Sequence, residues 1–462
     1  MRRAAAMRSF AFALALAVSL GAAAAPARAA GSPEAAFATG VAALQAGDFA
    51  RAESVLGGCA SAATPTGLQC AWEAGWAAYA RGRWDAAIRF WSLVEKGDPS
   101  RKDLADSLGQ ARDNQALATL LSAGASATPK APAAVPAGTR LRLRAVGDLM
   151  IGTVFPEGAL NPEVDRTFAG VADWLADADL TFGNLEGPLC DAGETTKCKP
   201  ESPPGACYAF RSPGAYARLY AAAGFDVLST ANNHAADFGY ACRRETERHL
   251  DAVGIAHTGR PADIATRVVN GLRVGVIGFH TNRNSHYVNA HDEAAALVRA
   301  VGATHDLVLV SFHGGAEGGR ATRVPDGPEV FYGEDRGDLR RFARAVIAAG
   351  ADLVLGHGPH VPRGMELVDG RLVVYSMGNF ATYGRFNLKG DQGLAMVVEA
   401  TLAPDGRFLG GRILPAVQVG GGVPEQDPSG RVIARVAELT ALDFPATGVT
   451  VAADGTLSPS AR

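Results

Sequence analysis

The chain has 462 residues, of which 48% are hydrophobic, 20% charged and 7% aromatic. That length allows two or three domains and a sizeable core, and the high apolar content without a strict short repeat excludes fibrous and wholly disordered classes. A formal net charge of −3 lacks the concentrated basic surface that a nucleic-acid partner requires.

At the start of the chain, Arg2, Arg3 and Arg8 precede a short apolar run over 9–20, and Ala27-Arg28-Ala29 offers a small-x-small cleavage site. This is the pattern of a secretory signal peptide over 1–29. The competing reading is an uncleaved anchor, but the run is short for a membrane span, and no later run approaches roughly 18 apolar residues. Cleavage would remove four arginines and no acids, taking the net charge from −3 to −7. The expectation is a periplasmic or secreted chain with no membrane span after cleavage. In that oxidising setting the six cysteines read as two or three structural disulfides. Cys59 and Cys70 could staple one helix junction. Cys190, Cys198, Cys207 and Cys242 allow three pairings, which the spacing leaves open.

Residues 30–121 have helical periodicity and an internal echo: Gly40, Gly47 and Ala52 recur as Gly75, Gly82 and Ala87, each 35 residues on. Small residues at these offsets let antiparallel helices approach closely, and Pro99 stops the second pair. The region resembles a tetratricopeptide repeat pair, with a plain helical hairpin bundle as the alternative. Trp72, Trp76, Trp84 and Trp91 read as core packing first and as a groove for a protein partner second. Residues 122–139 (SAGASATPKAPAAVPAGT) have no face to bury and predict an extended linker.

The grammar then changes to β-branched runs at 141–146, 180–182, 227–230, 274–279, 307–312, 353–355 and 372–376, with helical stretches such as 214–223 and 339–349 between them. Alternation of this kind predicts an α/β domain over 140–400, with functional groups on loops at the strand ends. The remainder, 401–462, reads as a C-terminal β extension. The strand ends carry Asp148, Gly183-Asn184-Leu185-Glu186, Asn232-Asn233-His234 with Asp237, His313 and His357-Gly358-Pro359-His360. A shared sheet edge would bring these five clusters together. Oxygen and imidazole donors without thiolate suit one or two divalent ions such as Mn, Fe or Zn, the layout of metal-assisted hydrolysis.

The stretches VGDLM, FGNLEGPL, STANNHAADFG, SFHGG, GADLVLGHGPHVPRGME and VYSMGNF resemble the CapA (poly-γ-glutamate capsule biosynthesis) family, which is similar to calcineurin-like metallophosphoesterases. The resemblance covers about 141–399. It implies a β-sandwich flanked by helices with a metal site at one edge. It also implies roles: Asp148 and His360 on a first metal, Glu186 bridging or beside it, and Asn233, His313 and His357 on a second. His234 would donate a proton to the leaving group, oriented by Asp237. Water acidified by the ions would attack a phosphoryl or carbonyl centre. Four positions depart from the pattern. Met150 stands where metallophosphoesterases carry a histidine, Glu186 replaces an aspartate, Ala235 replaces an acid, and Gly314 replaces a tryptophan common in CapA relatives.

Glu317, Asn379 and Arg363 are further candidates for substrate binding, and Arg211, Arg320 and Arg385 could meet an anionic polymer. Gly183-Asn184 and Gly356 read as tight strand-to-loop turns. His249, His257, His280, His286, His291 and His305 read as surface or satisfied histidines. Two functions follow: a metal-dependent hydrolase of a cell-envelope or exopolymer substrate, or a non-catalytic accessory protein that keeps the fold to bind polymer or partners.

Overall fold

The computed structural model describes residues 32–128, 134–155, 159–195, 197–198 and 207–459. The expected signal peptide over 1–29 lies outside them. The chain divides into two compact units, Met1–Ala116 and Leu117–Arg462.

In the first unit, α1 (Pro33–Gln45), α2 (Phe49–Cys59), α3 (Pro65–Ala80) and α4 (Trp84–Gly97) form two helical hairpins; α5 (Leu104–Ser126) begins in this unit, and its residues from Leu117 on belong to the second. Ser32, Asp48 and Thr64 cap the first three helices through their side chains. The 35-residue echo has a packing cause. A Cβ on Gly40 would meet Leu56 Cγ at 2.3 Å, and one on Gly75 would meet Trp91 Nε1 at 2.1 Å. Ala52 and Ala87 are fully buried, as is Trp91, whose Nε1 donates to the Trp72 carbonyl at 3.2 Å. Trp76 is half-buried beside the Trp91 ring, and Trp84 half-buried beside Tyr79. A disulfide joins Cys59 at the end of α2 to Cys70 in α3.

The expected linker begins later than its composition suggests, because α5 continues through 122–126. Leu117, Leu120 and Leu121 pack on the core of the second unit. Gly124 lies so close to α9 (His291–Gly302) that a Cβ would meet the Ala296 carbonyl at 1.8 Å. Of the small residues that read as linker, Gly124 is a buried contact residue, while Ser122, Ala123, Ala125 and Ser126 are exposed on the helix end.

The second unit is built on two sheets. In the first, β1 (Leu141–Met150) runs parallel to β2 (Leu180–Leu185), β3 (Val227–Ser229) and β4 (Ala256–Thr258). In the second, β6 (Leu272–His280), β8 (Leu307–His313), β11 (Leu353–His357) and β13 (Arg371–Val374) are parallel. Antiparallel β5 (Ala265–Val269) and β12 (Met365–Val368) edge them, and the short β7 (His286–Tyr287) lies beside β6. β9 (Glu329–Phe331) and β10 (Glu334–Gly337) form a separate ribbon. On the far side of β1 the first sheet continues through β14 (Asn379–Thr382), β15 (Leu394–Leu402), β16 (Phe408–Val419), β17 (Val423–Gln426), β18 (Thr450–Val451) and β19 (Thr456–Ser458). The C-terminal segment is therefore no appendage. It widens the main sheet and adds α11 (Arg431–Asp443), whose Val432, Ile433 and Val436 enter the central core.

Alternation along the strands makes the layers. Leu141, Leu143, Leu180 and Phe182 of the first sheet share one core with Val274, Val276, Leu307, Leu309, Leu353 and Leu355 of the second. Outward-facing Val146, Leu149 and Leu228 meet α6 (Ala172–Ala176), α7 (Ala217–Ala222) and α8 (Gly239–Ala252). Ile277, Val308, Val310 and Val354 meet α9 and α10 (Leu339–Ala348). The result is the expected β-sandwich with helices on both faces.

Candidate metal centre

Continuing the inner-face alternation past the apolar layer brings every strand to a polar residue. After Leu180 and Phe182 comes Asn184; after Leu307 and Leu309, His313; after Leu353 and Leu355, His357. Register aligns them: Asp148 pairs with Asn184 and Asn379, and His280, His313 and His357 stand side by side. A bulge between Ala145 and Asp148 keeps Asp148 on the inner face while Leu149 points outward. Gly147 permits the bulge, since its Cβ would meet the Gly378 carbonyl at 2.0 Å.

Asp148 is fully buried. Its Oδ1 accepts from Asn184 Nδ2 at 2.9 Å, and its Oδ2 lies 3.0 Å from His360 Nδ1. Glu186 Oε1 sits 3.7, 3.9 and 4.0 Å from the Nε2 atoms of His360, His313 and His234. Asp148, Glu186 and His313 each offer an atom within 4.8 Å of the others. His360 holds a left-handed φ of 59°, uncommon for a side-chain-bearing residue. The turn before it is pinned by Gly358, whose Cβ would meet the Gly314 carbonyl at 2.6 Å. Gly314 is itself packed against the Arg336 carbonyl, which leaves no room for a larger side chain there.

The electrostatics are those of a charge cluster out of water. Burial opposes ionisation of Asp148, but the imidazoles of His357 and His360 hold its carboxyl well below the usual range. Burial, reinforced by the Asp148 charge, pushes Glu186 well above it. Burial lowers His313 far below an ordinary imidazole. For His360 burial is outweighed by Glu186 and Asp148, which raise it to about 10.

Six buried atoms here have no hydrogen-bond partner among the described residues: both Glu186 oxygens, Asn233 Oδ1, His313 Nε2, and both His357 ring nitrogens. Buried polar atoms are seldom left unpaired, and oxygen and imidazole donors converging in this way fit a divalent cation. His357 Nδ1 lies 3.3 Å from Asp148 Oδ1 without hydrogen-bonding geometry.

Beside this cluster His234 Nδ1 lies 2.7 Å from Asp237 Oδ2. Burial, against the pull of Asp237, lowers the His234 imidazole. Asp237 thus lies within hydrogen-bond reach of the His234 ring. The other candidates fare differently. Asn379 does not face a substrate. It is fully buried, with Oδ1 3.0 Å from His360 Nδ1 and Nδ2 donating to the Gln392 carbonyl, so it positions His360. Arg363 is excluded from substrate contact for a similar reason. Its buried guanidinium makes two 2.8 Å bonds to Glu329 and one to the Ala321 carbonyl. Glu317 reaches the edge of the site, 3.9 Å from His360 Nε2 and 2.8 Å from Arg336. Arg211 bonds the Gly193 carbonyl, and Arg320 is exposed.

Some participants are missed by sequence reasoning. Asn184 does more than turn the chain: it bridges Asp148 and Asn232, 3.4 Å from His313 Nδ1. Asn232 also donates to the Leu185 carbonyl and accepts from the His234 N–H. His280 is buried in the imidazole row, its ring 5.7 Å from that of His313. The inner-face alternation of its own strand could have flagged it. His257, His286 and His305 are satisfied by hydrogen bonds. The four cysteines left open pair as Cys190–Cys242 and Cys198–Cys207.

The fold and donor set define a β-sandwich protein with a candidate divalent-metal centre at one sheet edge. A family model described as bacterial capsule synthesis protein PGA_cap matches residues 142–383, and the chain belongs to that family. It is 26% identical over 253 residues to the PGA biosynthesis protein CapA of Bacillus subtilis, covering 51% of this chain and 61% of that protein. It is 25% identical over 261 residues to the capsule biosynthesis protein CapA of Bacillus anthracis, covering 52% and 59%. A Mycobacterium tuberculosis relative described as a probable polyglutamine synthesis accessory protein is 28% identical over 228 residues, covering 44% and 55%. The chain thus spans about three fifths of the length of the two CapA proteins. Among solved structures, the 5'-nucleotidase precursor of Thermus thermophilus aligns with a TM-score of 0.36 and 14% identity, covering 65% of this chain and 59% of that one.

Proposed function

We propose that the protein is an exported, metal-dependent hydrolase of capsule or exopolymer synthesis, acting on a phosphoester or γ-glutamyl amide bond. The observation that carries this reading is the six unpartnered donor atoms gathered beside an aspartate-anchored imidazole. Asp148, Glu186, Asn233, His313, His357 and His360 would hold one or two Mn, Fe or Zn ions, which supply Lewis acidity and acidify water. Asp237 keeps the His234 ring oriented with Nε2 toward Glu186, where it can hand a proton to a leaving group. Phe386 lies 5.3 Å from the His360 ring and stacks on Phe210 at 5.4 Å, screening this edge from water. The names of the relatives make a polyglutamate-type polymer the favoured substrate class. Three disulfides among the described residues support an oxidising compartment, periplasmic or extracellular. No helix among the described residues is long and apolar enough to cross a membrane. The helical hairpins, tetratricopeptide-like in their echo, would dock a protein partner.

A second reading is favoured by Met150, buried where metallophosphoesterases carry a ligand histidine: a non-catalytic accessory protein that binds polymer. Metal counting on the purified chain, with turnover of phosphodiester and γ-glutamyl substrates beside Asp148→Asn and His313→Ala, separates the two. Sub-stoichiometric metal after reconstitution, with activity equal in all three proteins, sinks the hydrolase.

A further inference from the structure

Both carboxylate oxygens of Asp237 accept from residues that flank one disulfide. Lys197 Nζ donates to Oδ1 at 2.6 Å, and the Phe210 N–H donates to Oδ2 at 2.8 Å. Oδ2 also meets His234 Nδ1. Lys197 immediately precedes Cys198, Phe210 lies three residues after Cys207, and those cysteines are bridged. The disulfide thus joins two limbs that close on Asp237 from its two oxygens. Each limb also reaches His234. The Phe210 ring lies 4.2 Å from the imidazole. Lys197 Nζ lies 3.2 Å from Nδ1 and donates to the Asn233 carbonyl at 3.1 Å. The second disulfide, Cys190–Cys242, ties the chain after Glu186 to α8, which begins two residues after Asp237.

We propose that the residues flanking the Cys198–Cys207 disulfide set the acid–base pair: Lys197 and the Phe210 N–H fix the Asp237 carboxylate, and Asp237 fixes the tautomer and direction of His234. The proposal deepens the hydrolase reading and rests on it for the role of His234. A carboxylate held only by His234 could rotate and offer either oxygen. Two further donors, one of them backbone, leave a single orientation. With Nδ1–H donating to Oδ2, Nε2 is the nitrogen free to exchange protons in the centre. Lys197 is a positioning residue, acting through Asp237.

The test uses the full chain, zinc-loaded, as Lys197→Met, Lys197→Arg and Cys198→Ser/Cys207→Ser, with Asp237→Asn as the reference for a released ring. The first readout is the pair of His234 ring nitrogen chemical shifts in histidine-labelled protein, assigned with His234→Gln. Lys197→Met and the double serine variant move the shifts toward those of Asp237→Asn, and Lys197→Arg restores them. The second readout is turnover of bis(p-nitrophenyl) phosphate, where kcat falls about 10- to 100-fold at a KM within about twofold and zinc content stays equal. Wild-type ring shifts in both Lys197→Met and the double serine variant overturn the proposal, as does a loss of zinc that accounts for the fall. If the wild type turns over nothing, the hydrolase reading fails while the ring shifts still decide whether Lys197 and the disulfide orient His234.

Discussion

Glu186→Gln separates the demands of folding from those of ion binding. Glu186 is fully buried, and neither carboxylate oxygen has a hydrogen-bond partner among the described residues. Its raised pKa reflects burial and the neighbouring Asp148 charge. Near pH 7 a carboxyl whose pKa is raised on folding must take up a proton or bury its charge, and either lowers stability. Glutamine leaves the same atoms unpaired but does not ionise, and it does not strand His360, which remains 3.0 Å from Asp148 Oδ2. In chelator near pH 7 the variant is therefore more stable than wild type, by about 1–3 kcal/mol. Added ion reverses the trend. Free ion at 100 times its Kd stabilises wild type by about 2.7 kcal/mol, and a variant binding about 100-fold more weakly gains only about 0.4 kcal/mol from the same linkage, so its lead shrinks by about 2 kcal/mol. Because a two-unit chain need not unfold in one step, the assay is denaturant-dependent hydrogen exchange of peptides from β1, β8 and β11. A variant less stable than wild type in chelator, or a difference that ion leaves untouched, refutes the assignment of Glu186 as a strained ligand.

Three further outcomes are expected. His286 has both ring nitrogens engaged, Nδ1 with the Gly278 carbonyl and Nε2 with the Ala262 N–H, and burial lowers its pKa to about 4. The unfolded chain then binds the proton first, so the His286 contribution is flat above about pH 6.5 and lowers stability by up to ~3 kcal/mol toward pH 4. Urea titrations of His286→Gln should lack that part of the slope, and an identical slope contradicts the reasoning. Gly75→Ala drives a methyl into the Trp91 ring at a cost of about 1–3 kcal/mol, outweighing a helix-propensity gain of about 1 kcal/mol. A raised midpoint in tryptophan-fluorescence melts contradicts the close approach. Arg363→Met strands buried Glu329 and destabilises by about 3–5 kcal/mol. Since Arg363 does not meet substrate, KM stays within about twofold of wild type in the folded fraction, and a selective rise in KM restores a substrate role.

The strand ends are legible in the sequence because a parallel sheet makes position along the chain equivalent to position in space: Asp148, Glu186, His313 and His357 need only a β-branched run before them. Asn184 and His280 are harder. Their roles arise from register between strands, Asn184 beside Asp148 and His280 beside His313, and register is set by non-local packing. Arg363 misleads for a related reason: its partner Glu329 sits on a ribbon 34 residues away. The stretch 122–126 misleads through composition, since alanine and serine serve a linker and an exposed helix end equally well, and only Gly124 makes a tight contact. The glycine echo in the hairpins is readable because the same clash, against Leu56 or Trp91, selects it twice.

The centre straddles the seam of the sandwich. Asp148 and Glu186 belong to the first sheet and His313 and His357 to the second, so neither sheet carries a full donor set. An ion seated there is a rivet between the layers, and the gap it spans is set by the apolar side chains beneath. Trimming Leu309 or Leu143, both fully buried below the site, would alter the spacing of the jaws without touching a ligand. Ion affinity in such variants works as a caliper for how closely the sheets are held.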